Sequence, residues 1–190
     1  MRVVFRLLAV FLLTLGALGG LPAAVTAELR ISDLDVFLND HDVTVHVVVL
    51  GALPAGFHEG LQSGVPAHVR FTVELWQYNR LWPNRLVITR TIERALEYNV
   101  VTKEYKVASL KGETRGPYAT RDLRDAQRVL SELRGLKLAP ASQFEGAEIL
   151  FVRVFAETAL RGENTFVSRM AGTAEQVERR SDYRTIQRAE

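Results

Sequence analysis

The amino-acid sequence predicts a mainly β protein: an antiparallel, sandwich-like domain of six to eight strands with one amphipathic helix near residues 121–134. Three observations lead to this prediction. Apolar and polar residues alternate in the first half of the chain, a late segment is apolar on both faces, and one stretch has helical periodicity. With 47% hydrophobic and 24% charged residues, the 190-residue chain has the composition of a globular protein that can bury a core.

The first 27 residues have the three parts of a secretory signal peptide. Arg2 and Arg6 form a positive amino-terminal region, Leu7–Leu18 is an uncharged apolar run, and a small residue, Ala27, ends the segment. We therefore expect cleavage after Ala27, export to the periplasm or cell envelope, and no transmembrane helix in the mature chain. The competing interpretation is an uncleaved anchor, since residues 7–25 approach the length of a spanning helix. Because no cysteine stands at the cleavage point, a bacterial lipid anchor is excluded.

Removal of residues 1–27 changes the charge balance. The whole chain carries 24 basic and 22 acidic residues, and the removed segment contains two arginines and no acid. The mature chain then has 22 residues of each sign, so the small basic surplus does not indicate a nucleic-acid partner. The absence of cysteine also excludes a disulfide framework and a thiol nucleophile.

Residues 28–174 are expected to form a single β-rich domain whose strands follow from the alternation of apolar and polar residues. In chain order, the expected strands are Leu29–Leu38, Asp42–Leu50, Pro66–Gln77, Leu86–Leu96, a return strand through Tyr105 and Val107, and Glu148–Ala156. Pro66–Gln77 has one apolar and one largely polar face, which is typical of an antiparallel sheet with one solvated side. Glu148–Ala156 is apolar on both faces, and we expect it at the centre of a sheet.

Two segments have the features of helices. Leu53–Gly64 has a proline at its start and apolar residues four apart, so we expect about two helical turns between strands. Arg121–Arg134 has a single apolar stripe, with Thr120 as the expected cap of its first turn and Gly135 at its end. Residues 175–190 are rich in charge, and we expect them to form a C-terminal tail.

Several motifs resemble those of a known bacterial family. Ile31–Leu34 is Ile-Ser-Asp-Leu, Leu61–Pro66 contains Ser-Gly-Val-Pro, and Leu96–Val107 contains a Thr-Lys-Glu-Tyr hairpin. In these features the chain is similar, from about Glu28 to the C-terminus, to the exported family catalogued as domain of unknown function 4390. The resemblance implies an exported bacterial protein of one domain, and it implies no catalytic or cofactor-binding residues for this chain.

The sequence contains no catalytic motif. Its serines lie outside Gly-x-Ser-x-Gly, no glycine-rich phosphate loop is present, and no pair of carboxylates is distinguished by its spacing. We therefore expect a non-enzymatic protein without a cofactor. Among the histidines, His41, His46 and His68 are the candidates for a metal site. The competing interpretation is that they are ordinary surface side chains, because no metal-binding spacing is present.

Aromatic residues and arginines concentrate around the connection between two expected strands. The members of this patch are Trp76, Tyr78, Arg80, Trp82, Arg85 and Tyr98. Such residues contribute much of the binding free energy at protein interfaces, so we expect the patch to bind a protein partner in the envelope. The competing interpretation is a satellite cluster of aromatics that covers the polar face of the sheet, with arginines stacked on it.

Two further hypotheses follow from the sequence. The strand at Ile149–Phe155, apolar on both sides, is compatible with a carrier of a small apolar or lipid ligand between the sheets. A metal-dependent or carboxylate enzyme is the third hypothesis, because carboxylates can converge from distant parts of a chain. A carrier is expected to have a large apolar cavity, and an enzyme is expected to have convergent carboxylates or imidazoles in a cleft.

Overall fold

The computed structural model describes residues 28–38, 41–145, 148–160 and 174–185, so the expected signal segment lies outside the described residues. The strands are β1 (Arg30–Leu38), β2 (Asp42–Leu50), β3 (Ala67–Gln77), β4 (Arg85–Asn99), β5 (Glu104–Lys111), β6 (Tyr118–Thr120), β7 (Glu132–Pro140), β8 (Ile149–Leu160), β9 (Ala174–Arg180) and β10 (Arg184–Thr185). The helices are α1 (His58–Gln62) and α2 (Leu123–Ser131), with 3₁₀ turns at Ala55–Phe57 and Ala141–Gln143. The prediction of a mainly β, antiparallel fold is confirmed.

The strands form two antiparallel sheets around one hydrophobic core. The smaller sheet has the order β1–β2–β7, and the larger has the order β10–β8–β3–β4–β5–β6, with β9 also paired to β8. Alternate residues of β2, from Val43 to Val49, are buried, as are alternate residues of β3, from Ala67 to Leu75. Both rows belong to one cluster of buried side chains, so the two sheets pack face to face.

Strand β8 has a central position, as its doubly apolar pattern predicted. It pairs with β3 on one side and with β9 and β10 on the other. The start of the segment expected to be a charged tail, residues 175–180, therefore belongs to an edge strand, β9. Charged side chains are typical of edge strands because they discourage pairing with other chains, and this composition resembles that of a solvated tail.

The described residues contain more strands than the six to eight expected, because β9 and the very short β6 and β10 extend the larger sheet. Helical turns are present within Leu53–Gly64, as predicted. Among the described residues, no helix has both the length and the apolar character needed to cross a membrane.

Helix α2 is shorter than the expected span of residues 121–134. Its cap is Asp122 and not Thr120, and the Asp122 side chain accepts a hydrogen bond from the backbone N–H of Arg124 at 2.8 Å. The helix ends at Ser131, because the chain then pairs with β2 as β7. Leu133 is buried in the core as part of this strand, so its apolar character did not mark the change from helix to strand.

Candidate protein-binding surface

The connection between β3 and β4 presents two apolar side chains to solvent. Leu81 is 86% exposed and Trp82 is 75% exposed. Below them, the backbone N–H of Asn79 donates a hydrogen bond to Oδ1 of Asn84 at 3.1 Å, which closes the loop. We refer to residues 78–85 as the tip. An apolar pair on an organised loop is a feature that a partner can cover at little cost in backbone ordering.

Positively charged residues flank the tip in the sequence. Residues 75–92 contain Arg80, Arg85 and Arg90 and no acidic residue, although basic and acidic residues are nearly equal in the chain as a whole. The Nε atom of Arg85 donates to Oε1 of Gln77 at 2.8 Å, which holds this arginine across the base of the connection. Charge of one sign around an apolar centre favours a partner of the opposite sign and accelerates its association.

An aromatic cluster lies beside the tip on the outer face of the larger sheet. Trp76 stacks on Phe151 with ring centroids 6.2 Å apart. Tyr183 meets Tyr78 at 4.8 Å and Phe151 at 5.4 Å, both edge to face. The guanidinium of Arg153 lies over the Trp76 ring, 4.7 Å from its centroid. Trp76 and Tyr78 thus pack against other side chains of this protein, as the satellite-cluster interpretation expects.

The structure separates Tyr98 from the other residues of the expected patch. Tyr98 lies at the opposite end of β4 from Arg85, about 40 Å away at the rise of an extended strand. It packs against Tyr105 with ring centroids 4.8 Å apart. Burial and the neighbouring Tyr98 raise the pKa of Tyr105. The expected strand, Leu86–Leu96, also lies between Tyr98 and the tip, so Tyr98 does not belong with the residues of the tip.

Within the tip, the predicted patch residues that are exposed are therefore Arg80, Trp82 and Arg85, whereas Tyr78 is partly buried. Sequence reasoning missed Leu81 at the tip, and it missed Phe151 and Tyr183 in the cluster. The last two residues are distant in sequence, and only the pairing of β3 with β8, and of β10 with β8, brings them close. A signal for the tip was present in the sequence, since the stretch of residues 75–92 lacks acidic residues.

The candidate metal ligands lie on different parts of the sandwich. His46 belongs to β2 in the smaller sheet, and His68 belongs to β3 in the larger sheet. Both alternate with buried residues, so their side chains point away from the shared core. His41 precedes β2, and its carbonyl oxygen accepts a hydrogen bond from the backbone N–H of Ala141 at 2.8 Å. Among the described residues, no three His, Asp or Glu side chains come close enough to hold a metal ion.

An open cleft of about 620 Å³ lies beside α2 and β7, with charged residues in its lining. Arg94 lies at this cleft with a side chain only 2% exposed. Its Nε and Nη2 atoms donate to the two carboxylate oxygens of Glu113 at 2.8 and 2.5 Å. Its Nη1 atom donates to the carbonyl oxygens of Val129 and Glu132 at 2.7 and 2.6 Å. The hydrogen bonds of the guanidinium thus connect β4 to the residues after β5 and to the end of α2.

A second charged group lies at the start of α2. The hydroxyl of Tyr118 donates to Oδ2 of Asp125, and Arg128 donates to Oδ1 of Asp125 at 2.6 Å. The hydrogen bond from Tyr118, followed by that from Arg128, lowers the pKa of Asp125. The same hydrogen bond raises the pKa of Tyr118. A carboxylate that accepts hydrogen bonds from two donors is suited to fixing the helix on β6.

Comparison with known proteins gives one result. The family model described as "Domain of unknown function (DUF4390)" matches residues 26–160. No curated protein and no solved structure matches the chain. The match covers the domain from its first strand to the end of β8. The chain therefore belongs to the DUF4390 family, as its Ser-Gly-Val-Pro and Thr-Lys-Glu-Tyr motifs predicted.

Proposed function

We propose that this chain is an exported protein of the bacterial envelope that binds a protein partner through the tip, residues 78–85. In this proposal the protein acts by binding and catalyses no reaction. The observation that supports it most strongly is the exposed pair Leu81 and Trp82 on an organised connection. The acid-free, arginine-bearing segment around this pair supports it further.

The amino-terminal segment supports export. Arg2 and Arg6, the apolar run Leu7–Leu18 and the small residue Ala27 have the order found in secretory signal peptides. A domain without cysteine needs no oxidative step to fold after export. The same features support the envelope as the place where the partner is met.

The free energy available at Trp82 is large enough for a specific contact. A tryptophan side chain has on the order of 200 Å² of surface, of which about three quarters is exposed here. Covering this area contributes roughly 3 to 4 kcal/mol before the costs of association are subtracted. Arg80 and Arg85 lie on either side of the tryptophan in the sequence and supply charged groups for the rim of the contact.

Site-specific crosslinking in the native bacterium tests the proposal. A photo-crosslinking amino acid is placed at position 81 in one strain and at position 101 in another. Val101 is a matched control, because it is 85% exposed, is apolar, and lies in the β4–β5 connection at the other end of β4. We expect a discrete crosslinked envelope protein from position 81 and none from position 101. Equal crosslinking from both positions, or none from position 81, would contradict the proposal.

The double substitution Trp82→Ala with Arg85→Ala tests the chemistry of the tip. We expect the crosslink from position 81 to be lost, because the two side chains supply the apolar centre and a charge. Both side chains are exposed, so the melting temperature should change by no more than about 2 °C. A large fall in melting temperature would show that these residues serve the stability of the fold.

A further inference from the structure

Part of β4 has a neighbouring strand on one side only. β3 pairs with β4 from Arg85 to Leu96, whereas β5 pairs with it only from Glu93 onward. At this point Gly112, with φ of 80°, turns the chain, and the carbonyl oxygen of Glu113 accepts a hydrogen bond from Ser109. Within the described part of the chain, the edge of β4 before Ile92 is therefore unpaired.

The backbone groups along this edge point outward and are accessible. A Cβ atom added to Gly112 would lie 2.2 Å from the carbonyl oxygen of Thr91, so this carbonyl points away from β3. Backbone groups alternate along a strand, so those of Thr89 point to the same side. Thr89 and Arg90 are exposed, and the atoms nearest to Gly112 belong to Thr91 and Ile92. The N–H and C=O groups of Thr89 are thus positioned to pair with an added strand.

The edge also has a distinct charge. Arg85 and Arg90 lie on it, Arg80 lies at the adjoining tip, and residues 75–92 contain no acid. Among the described residues, neither Arg80 nor Arg90 forms an ion pair. Pairing two copies of this edge would place three arginines from each chain together, which disfavours a homodimer here. A lipid surface has hydrogen-bond acceptors, but it lacks the alternating N–H and C=O groups that a strand offers to a neighbouring strand.

We propose that the partner binds by adding an extended segment with acidic side chains to the edge of β4 around Val87–Arg90. This inference rests on the proposed function, because it specifies how the partner approaches the tip. The backbone of Thr89 supplies hydrogen bonds, the arginines select acidic side chains, and the exposed Leu86 and Trp82 take an apolar residue of the segment. Such strand addition is a recurrent mode of peptide recognition.

The substitution Thr89→Pro tests the backbone hydrogen bond. Proline removes the outward N–H, and it is tolerated on an edge strand when that N–H does not pair within the sheet. Thr89→Ala is the matched control, since it removes the side chain and keeps the N–H. In the position-81 crosslinking strain, we expect Thr89→Pro to abolish the crosslink and Thr89→Ala to retain it. If the parent crosslinks and Thr89→Pro crosslinks equally well, strand addition is wrong while the proposed function stands.

A measurement on the purified protein keeps the test independent of how well Thr89→Pro folds. A displayed library of random peptides, about a dozen residues long, is selected on the protein. We expect the selected peptides to be rich in Asp and Glu and to slow hydrogen exchange at the amide of Thr89. We also expect Arg90→Glu to weaken their binding by about tenfold or more, through loss of one ion pair and gain of repulsion. Recovery of no peptide, or of peptides that leave this amide unprotected, would overturn the inference.

Vesicles of anionic phospholipid test whether the tip binds a membrane instead of a protein segment. We expect the protein to stay in the supernatant when such vesicles are sedimented. Sedimentation that is lost in Trp82→Ala and kept in Thr89→Pro would identify the tip as a membrane contact and overturn the inference.

Discussion

Arg94→Met removes a buried guanidinium that holds three parts of the fold together. Arg94 lies in β4, donates two hydrogen bonds to Glu113, and donates one each to the carbonyl oxygens of Val129 and Glu132. Methionine fills a similar volume and donates no hydrogen bond. The carboxylate of Glu113, which is 19% exposed, would lose its partner, and two carbonyl oxygens at the end of α2 would lose their donor.

The expected loss of stability follows from these contacts. Removing one partner of a buried ion pair costs about 3 to 5 kcal/mol, and the partial exposure of Glu113 favours the lower value. For a domain of this length, about 3 kcal/mol corresponds to a fall in melting temperature of roughly 10 °C. The measurement is thermal unfolding followed by circular dichroism, with urea unfolding as a second determination of the free energy.

A matched substitution shows whether the loss of stability comes from the burial of the arginine or from its position in the strand. Arg90 lies on the same strand and face as Arg94 but is exposed, so Arg90→Met should change the free energy of unfolding by less than about 0.5 kcal/mol. Arg94→Lys keeps the charge but cannot make the bidentate contact with Glu113, and we expect an intermediate loss. Equal effects of Arg94→Met and Arg90→Met would refute the claim that the buried guanidinium stabilises the fold.

Three other predictions concern the domain and its amino terminus. Gly112→Ala places a Cβ atom against the carbonyl oxygen of Thr91. The control is Gly64→Ala, because Gly64 also has a positive φ but has open space around it. Urea unfolding should show that Gly112→Ala lowers the free energy of unfolding by at least about 1 kcal/mol more than Gly64→Ala does. The pKa of Asp125 is lowered in the folded protein, so the contacts of its carboxylate stabilise the protein above the ordinary carboxyl pKa, and this stabilisation is lost as the pH falls through the folded pKa. Tyr118→Phe removes one of these contacts and should raise the pKa of Asp125, as measured by NMR titration. An unchanged pKa would contradict the assigned cause. Protein purified from the native envelope should begin at Glu28 by mass spectrometry, whereas an intact residue 1–27 segment would indicate a retained anchor.

The strand pattern could be predicted because burial on one face leaves a period of two in the sequence. Pro66–Gln77 has this alternation, and β3 follows it from Ala67 to Gln77. The doubly apolar segment beginning at Glu148 likewise indicated the central β8. These elements depend on residues within the segment itself, so local patterning was sufficient.

Other features depend on pairing between distant segments, which a local pattern does not contain. The end of α2 is set by the pairing of β7 with β2, although Leu133 continues the apolar stripe. Arg94 is buried because Glu113 and two carbonyl groups surround it, and its position among apolar residues of β4 gave no sign of these partners. Tyr98 lies at the far end of β4 from the tip, and its aromatic character alone did not show this separation.

Only part of the candidate surface could be predicted, because the rest depends on pairing between distant segments. Trp82, Arg80 and Arg85 belong to one short connection, so the sequence located them together. The cluster beside them requires Phe151 and Tyr183, which reach it through β8 and β10. The unpaired edge of β4 depends on where β5 ends, and at this point Gly112, which has a positive φ, lies close to Thr91.

The most direct test of the central claim is the yield of crosslinked product from position 81 relative to position 101 in living cells. Both positions carry exposed apolar residues, at opposite ends of β4. We expect one discrete envelope protein to be captured from position 81, to be lost in the Trp82→Ala and Arg85→Ala double variant, and to be absent from position 101. Crosslinked products of the same kind and yield from both positions would contradict the assignment of the tip as a binding surface.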